Sequence, residues 1–550
     1  MKMNRLIIKN GLVYDPINGI EGEKKDILVE TGKIVDKFGS NKDIKEIDAT
    51  GKTVIPAATD IHTHVASHQV NWVRLLGSNN KEFKEEWKGL TLRKIAKDYL
   101  SMGYTFILEA NVFPSLAKQT IFNFQQIPVL DKAMLLNISN FWPLELEFQR
   151  DKIKDMAIFL SDLLAKTSGF GFKVYNPFEC EMWNFKEMRD DLSKQGRLYN
   201  FSALDVYKSI AKCVKSMKLP HSAHIHIEGY ENDIGKLNLF TVLEEIKSLN
   251  LEHDQIFHIA HANSYSFDGD NNELINFFNE NPNINADLSF LGFNRINPVI
   301  TSDRRLVNFM FTMDSTDNLH KLISSAIEFE GDSFISMRSL NKSDFKACVL
   351  WANALDIVLN GKNKHQLSFS LNFPNYANIT DIPKIVTWLV SREARVNFMK
   401  GMNDLFIKNN PLSSNDKELS FSDLIRLTRA NPAKILGLSS IKGNLGPESD
   451  ADINIIDLNI KDINLSTDYK DLELALSNIE YVIKAGKIVK KEDKINMMSN
   501  GQIFWSEGQV EKEGNNLILT KKAEFFKKYS SMFYDSYKVS IDNRFLRKII

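Results

Sequence analysis

Between about residue 56 and residue 435, short apolar runs alternate with segments whose apolar residues recur at helical spacing, and this alternation constrains the fold more than any other feature. The runs are YTFILEAN at 104–111, GFGFKVYN at 169–176, HSAHIHIEG at 221–229, QIFHIAHAN at 255–263, NINADLSF at 283–290 and HQLSFSLN at 365–372. Segments such as ALDVYKSIAKCVKSMK and DIPKIVTWLVSREARVNFMKGM lie between them with helical periodicity. Strand, helix, strand repeated this many times predicts a parallel sheet, and a (β/α)8 barrel with insertions is the most economical form of one.

Both ends of the chain have a different texture. The first fifty residues alternate β-type runs (RLIIKN, LVYD, DILVETGKIVD, KEIDATGKTVI) with Gly and Asn turns, which predicts a small antiparallel β unit. The same texture returns after RLTRANPAKILGL, in ADINIIDL and IEYVIKAGKIVKK. The expected division is a composite β domain from 1–55 plus 436–495, a barrel from 56–435, and a charged, aromatic-containing tail from 496–550 with no readable chemistry.

Charge excludes little but points away from two partners. With 69 Lys+Arg against 70 Asp+Glu there is no electrostatic reason to expect nucleic acid or an anionic membrane. No apolar run approaches the roughly 18 residues that span a bilayer, and the basic N-terminus is interrupted at Lys9 and Asn10, unlike a signal peptide. The three cysteines, Cys180, Cys213 and Cys348, are odd in number and lack metal-type spacing, which fits a reducing cytoplasm. A cytoplasmic protein is expected.

Histidines carry the chemistry. Of 11 in the chain, eight fall in three stretches: His62, His64 and His68, then His221, His224 and His226, then His258 and His261. In TVIPAATDIHTHVAS, residues 53–67, His62 and His64 are two apart and so share one face of a strand. Alone, the pair reads better as satisfied polar residues at a strand terminus. Three clusters near the carboxyl ends of barrel strands, where barrel active sites are built, favour a metal site. Neutral imidazole suits zinc, and a catalytic zinc keeps one position open for water. Lys173, in GFGFKVYNP, falls between the first and second clusters; as an ammonium it has no lone pair, and its spacing alone suggests a solvated or salt-bridged lysine.

The order of these motifs, with the closing TRANPAKILGLSSIKGNLGPESDADINIIDLN, resembles the amidohydrolase superfamily. More closely, NGLVYDPINGIEGEKKDI, DIHTHVASHQVNWVRLL, SMGYTFILEANVFPSLAKQT, GFGFKVYNPFECEMW and LPHSAHIHIEG resemble, in order, the amidohydrolase-type subunit of formylmethanofuran dehydrogenase and its counterpart in the bacterial formyltransferase/hydrolase complex. The resemblance implies two zinc ions in the barrel mouth and hydrolysis of an N-formyl amine to amine and formate. It implies that His62 and His64 bind one zinc, that His226 and His261 bind the other, and that Lys173, carboxylated, bridges both. Carboxylation turns the lysine into an anion with acceptor oxygens, a suitable ligand for a metal pair about 3.5–4 Å apart. His224, His258 and His68 are then surrounding or packing histidines, and Arg74 and Arg295 are weak candidates for the carboxylates of a substrate tail. Implied partners are a formyltransferase and other proteins of such a complex, or a molybdenum or tungsten subunit that interconverts formate and CO₂.

One strand departs from the family pattern. Where the family has Asp-His-Pro-Asn, this chain has Asn372, Phe373, Pro374 and Asn375, so an amide stands at the position of the general-base aspartate. An amide cannot accept the proton of an attacking water. Asp381, nine residues on, reads as a helix-start acid. The family's Pro-Gly-Gly is here Pro56-Ala57-Ala58. Three readings stay open: a working formyl hydrolase with a substitute base, a divergent paralogue with a weak or non-hydrolytic binding role, and an amidohydrolase for another cyclic or linear amide.

Overall fold

The structure, a computed structural model, describes residues 5–40, 42–79, 91–185, 191–198, 200–249, 251, 257–294, 297–301, 306, 322–324, 333–338, 340–510 and 515–549. Eight parallel strands form the barrel in chain order: Ala58–Thr63, Tyr104–Val112, Asp131–Asn137, Gly171–Tyr175, Ala223–His226, Phe257–Ile259, Asn285–Ser289 and Leu367–Ser370. The eighth meets the first where the His64 amide donates to the Phe373 carbonyl at 2.7 Å and the Ser370 hydroxyl to the His62 carbonyl at 2.9 Å. Helices cover the outside, so almost every strand residue is buried. Burial on both faces explains why these strands read as continuous apolar runs rather than alternating ones.

The third strand, DKAMLLN, escapes the sequence reading because it opens with Asp131 and Lys132, which look like loop residues. Both are buried, Asp131 in an ion cluster described below and Lys132 with its ammonium on the Ile127 carbonyl at 2.7 Å. The long helical pattern of 381–402 divides at Ser391, which ends Ile382–Val390 and caps Arg392–Met399 by accepting from the Ala394 amide. Asp381 takes the capping role: it closes a capping box with Asn378 and lies 3.2 Å from the Lys384 ammonium.

Strands from both chain ends share a second sheet, since Thr53–Pro56 pairs antiparallel with Ile453–Ile456 and parallel with the first strand, Arg5–Asp15. The N-terminal unit is therefore mixed rather than antiparallel. Arg5–Asp15 pairs antiparallel with Ile20–Glu30 but parallel with Ile44–Asp48, because the chain crosses back after its first hairpin before re-entering the sheet. The tail is likewise structured: Ile503–Ser506 lies parallel to the third barrel strand, and Leu546–Ile549 lies beside it. A Cβ on Gly501 would fall 1.9 Å from the Leu130 carbonyl oxygen, so that close approach requires glycine.

A buried ion cluster ties these parts together. Lys442 Nζ lies 2.7 Å from Asp131, 2.9 Å from Asp450 and 2.6 Å from Asp452, and Lys484 Nζ also reaches Asp131 at 2.7 Å. Arg547, from the tail, reaches Asp450 at 2.5 Å. Burial alone would push the Asp131 carboxyl up, but the charges of Lys442 and Lys484 outweigh it and hold it at about 2. Asp450 is likewise held below the ordinary range, with Lys442 and Arg547 overcoming burial. A carboxyl depressed in the folded state contributes stability above its unfolded value near 4 and loses it as pH falls toward the folded value. Denaturation midpoints are thus expected to fall steadily from pH 5 to pH 2. A flat profile over that range would show that the cluster contributes nothing.

Candidate functional site at the barrel mouth

The carboxyl ends of the first, fourth, fifth, sixth and eighth strands deliver His62, His64, Lys173, His226, His261 and Asn372 into one pocket. The backbone helps to aim two of them: His261 (φ 37°) and Asn372 (φ 44°) both take left-handed conformations just past their strands, where the chain turns across the mouth. The His226 and His261 rings stand 4.6 Å apart between centroids, with His226 Nδ1 and His261 Nε2 2.8 Å from each other. His62 lies 5.5 Å from His64 and 5.4 Å from His261, again between ring centroids.

Burial favours the neutral form of these imidazoles. It lowers His62 to about 4, against the opposing pull of Asp287, and takes His226 and His261 well below their usual value. A neutral imidazole offers a lone pair, as a metal ligand must. Lys173 is 2% exposed, its Nζ has no hydrogen-bond partner, and burial lowers it to about 8. His226 Nε2 is also buried without a partner. An amine and an imidazole nitrogen left unpaired in a protein interior are costly, and both face the same pocket. The donor set fits a metal. Among the described residues no three His, Cys, Asp or Glu side chains are placed so that they could hold an ion; His62 faces Asp287 and His226 faces His261.

Two carboxylates that the sequence reading missed stand behind the histidines. Asp287, on the seventh strand, accepts from His62 Nδ1 and His258 Nε2, each at 3.0 Å. Glu109, on the second strand, lies 3.3 Å from His64 Nδ1 and accepts the Val65, Ala66 and Ser67 amides at 2.7, 2.6 and 3.1 Å. The available signal was a single acid inside each apolar run, ILEAN and NADLS. Such a residue tolerates burial only when several donors converge on it.

Sequence-predicted residues separate clearly. His224 and His258 do not line the pocket; their rings pack 4.1 Å apart beneath it. His68 packs on Phe113 at 5.0 Å. Arg74 is not a pocket-lining residue and instead donates to Asn71 and to the Val65 carbonyl at 2.6 and 2.5 Å. Its long side chain folds back over its own helix start. Arg295 lies outside the described residues.

The outer wall comes from an insertion between the seventh and eighth strands, where Asn297–Thr301 pairs antiparallel with Ser333–Arg338. Arg338 forms a two-pronged ion pair with Glu231 at 2.7 and 3.1 Å, and the Tyr376 hydroxyl donates to the same carboxylate. Burial would raise Glu231, but Arg338 outweighs it and keeps the carboxyl below its usual range. Glu231 is the one carboxylate among the described pocket-lining residues. Asn372 Oδ1 accepts from Asn375 Nδ2 at 2.9 Å, both residues lining the pocket.

The fold is of the amidohydrolase type, a parallel eight-stranded barrel beside a separate β sheet, and a model of the amidohydrolase family matches residues 374–490. The chain is 29% identical to protein FwdA of Methanocaldococcus jannaschii over 562 aligned positions, covering 97% of this chain and 96% of FwdA. It is 26% identical to a component of the formyltransferase/hydrolase complex of Methylorubrum extorquens, covering 89% and 88% of the two chains. The crystal structure of that organism's formyltransferase/hydrolase complex with methylofuran superposes with a TM-score of 0.87 at 21% identity, covering 99% of each chain, which speaks for the fold. No helix among the described residues is long and apolar enough to cross a membrane.

Proposed function

We propose that this chain is the amidohydrolase component of a formyltransferase/hydrolase or formylmethanofuran dehydrogenase complex, and that its barrel-mouth pocket binds an N-formyl amine of the formylmethanofuran type. The observation that carries the reading is the convergence of His62, His64, Lys173, His226 and His261 on one pocket, in a chain similar to FwdA over nearly its full length. His62 and His64 would hold one zinc, His226 and His261 a second, with Lys173 as a bridging carbamate. Zinc, when bound, supplies a polarised carbonyl and a water acidified to about pH 7. The chain's own residues shape the pocket that would receive the substrate: Tyr175 and Tyr230 share the Thr301 hydroxyl at 3.1 and 2.8 Å, which fixes one wall of it.

A specific observation favours a slow enzyme or a binding component. The proton of the attacking water needs an acceptor, and Asn372 offers an amide. Glu231 is committed to Arg338 and Tyr376, and its depressed pKa makes it a poor base. The reading of a general cyclic-amide hydrolase has no comparable support.

The test is metal content and formate release, measured on the full chain with its partner proteins and N-formylmethanofuran. About two zinc per chain with slow formate release is the expected result. Zinc with turnover of a hydantoin or dihydropyrimidine instead would refute the substrate assignment, and a chain that takes up no divalent metal would refute the site.

A further inference from the structure

Asp287 is 0% exposed, and four groups from three strands converge on its two oxygens. Oδ2 faces His62 Nδ1 and His258 Nε2, both at 3.0 Å. Oδ1 accepts the backbone amide of His261 at 3.0 Å and the Ser289 hydroxyl at 3.3 Å. With both oxygens occupied and no surface on the pocket, Asp287 is not a replacement for the missing base at position 372. Its geometry serves another purpose.

We propose that Asp287 is a positioning residue that sets the proton on His62 and the backbone turn at His261 together, so that one buried carboxylate aligns ligands of both halves of the candidate metal site. A carboxylate that accepts from His62 Nδ1 fixes the proton there, and the Nε2 lone pair is left for the pocket that His62 lines. The sixth strand ends at Ile259, and the bond from the His261 amide to Asp287 pins the left-handed residue that carries the ring onto His226. The Ser264 hydroxyl completes the arrangement, lying 2.7 Å from His261 Nδ1 and leaving Nε2 to face His226. His258 supplies the second ring donor to Oδ2, which gives a histidine outside the pocket a defined task.

This inference rests on the metal reading above, and the experiment separates the two. Wild-type and Asp287→Asn chains are loaded with zinc chloride, and transfer of zinc to a chromogenic chelator is timed. Loss of a carboxylate behind a ligating histidine typically costs 10–100-fold in metal affinity, so the variant is expected to release zinc at least about tenfold faster. Equal release from two equally folded proteins overturns the proposal. In parallel, nitrogen-15 histidine spectra of the metal-free wild type, with His62 assigned from a His62→Gln sample, report which ring nitrogen carries the proton. A proton on Nδ1 is expected, and one on Nε2 overturns the proposal even where the variant fails to fold. A wild-type chain that binds no zinc sinks the metal reading, while the spectra still decide the role of Asp287.

Discussion

An Asn372→Asp variant is expected to release formate from the N-formyl amine about 10²–10⁴ times faster than the native chain, the usual contribution of a positioned general base. That gain corresponds to roughly 3–5 kcal/mol of barrier. The position is prepared for the change: Asn372 already lines the pocket, the two side chains are nearly the same shape, and Asn375 Nδ2 at 2.9 Å would donate to a carboxylate as it does to the amide oxygen. The measurement is kcat and KM for both proteins at matched metal content. A rise in kcat with little change in KM places residue 372 at the proton transfer rather than in ground-state binding. A native chain that already turns over fast, with no gain in the variant, would mean that another group accepts the proton and that the strand-eight register is misassigned.

Lys442→Met is expected to remove about 3–5 kcal/mol of stability, the cost of leaving buried charges without their partner. Lys442 is 2% exposed and stands within 2.9 Å of Asp131, Asp450 and Asp452. Burial opposes its charge, but the three carboxylates outweigh this and hold its pKa well above the ordinary lysine value. Denaturant midpoints with unchanged slopes would measure the loss. A second substitution, Asp131→Asn, should return part of it, because Lys484 then no longer has to serve alone against the same crowd of acids. A loss below about 1 kcal/mol would show that water reaches the cluster and screens it.

Some of this was legible from the residues and some was not, for identifiable reasons. Strand-helix alternation predicted the barrel because doubly covered strands are apolar throughout, and the His-x-His pair was conspicuous because histidine is rare in this chain. The third strand was hidden by Asp131 and Lys132, whose burial depends on Lys442 and on the carbonyl of Ile127, neither predictable locally. Asp287 was hidden in the opposite way: its partners come from the first and sixth strands, and only the closed barrel brings them within reach. The tail gave no pattern because its strands take their order from the start of an existing barrel strand rather than from their own periodicity.

The sheet shared by the two chain ends has a consequence for synthesis. Thr53–Pro56 emerges early, but its partner Ile453–Ile456 is translated some 400 residues later. At about 5–20 residues per second the interval is roughly 20–80 s. During it, a short apolar edge that is fully buried in the finished protein stands without a neighbour on one side. Unpaired edges of this kind recruit other chains. The nascent chain therefore has to be shielded from its neighbours on the polysome until the barrel is complete and the sheet can close behind it.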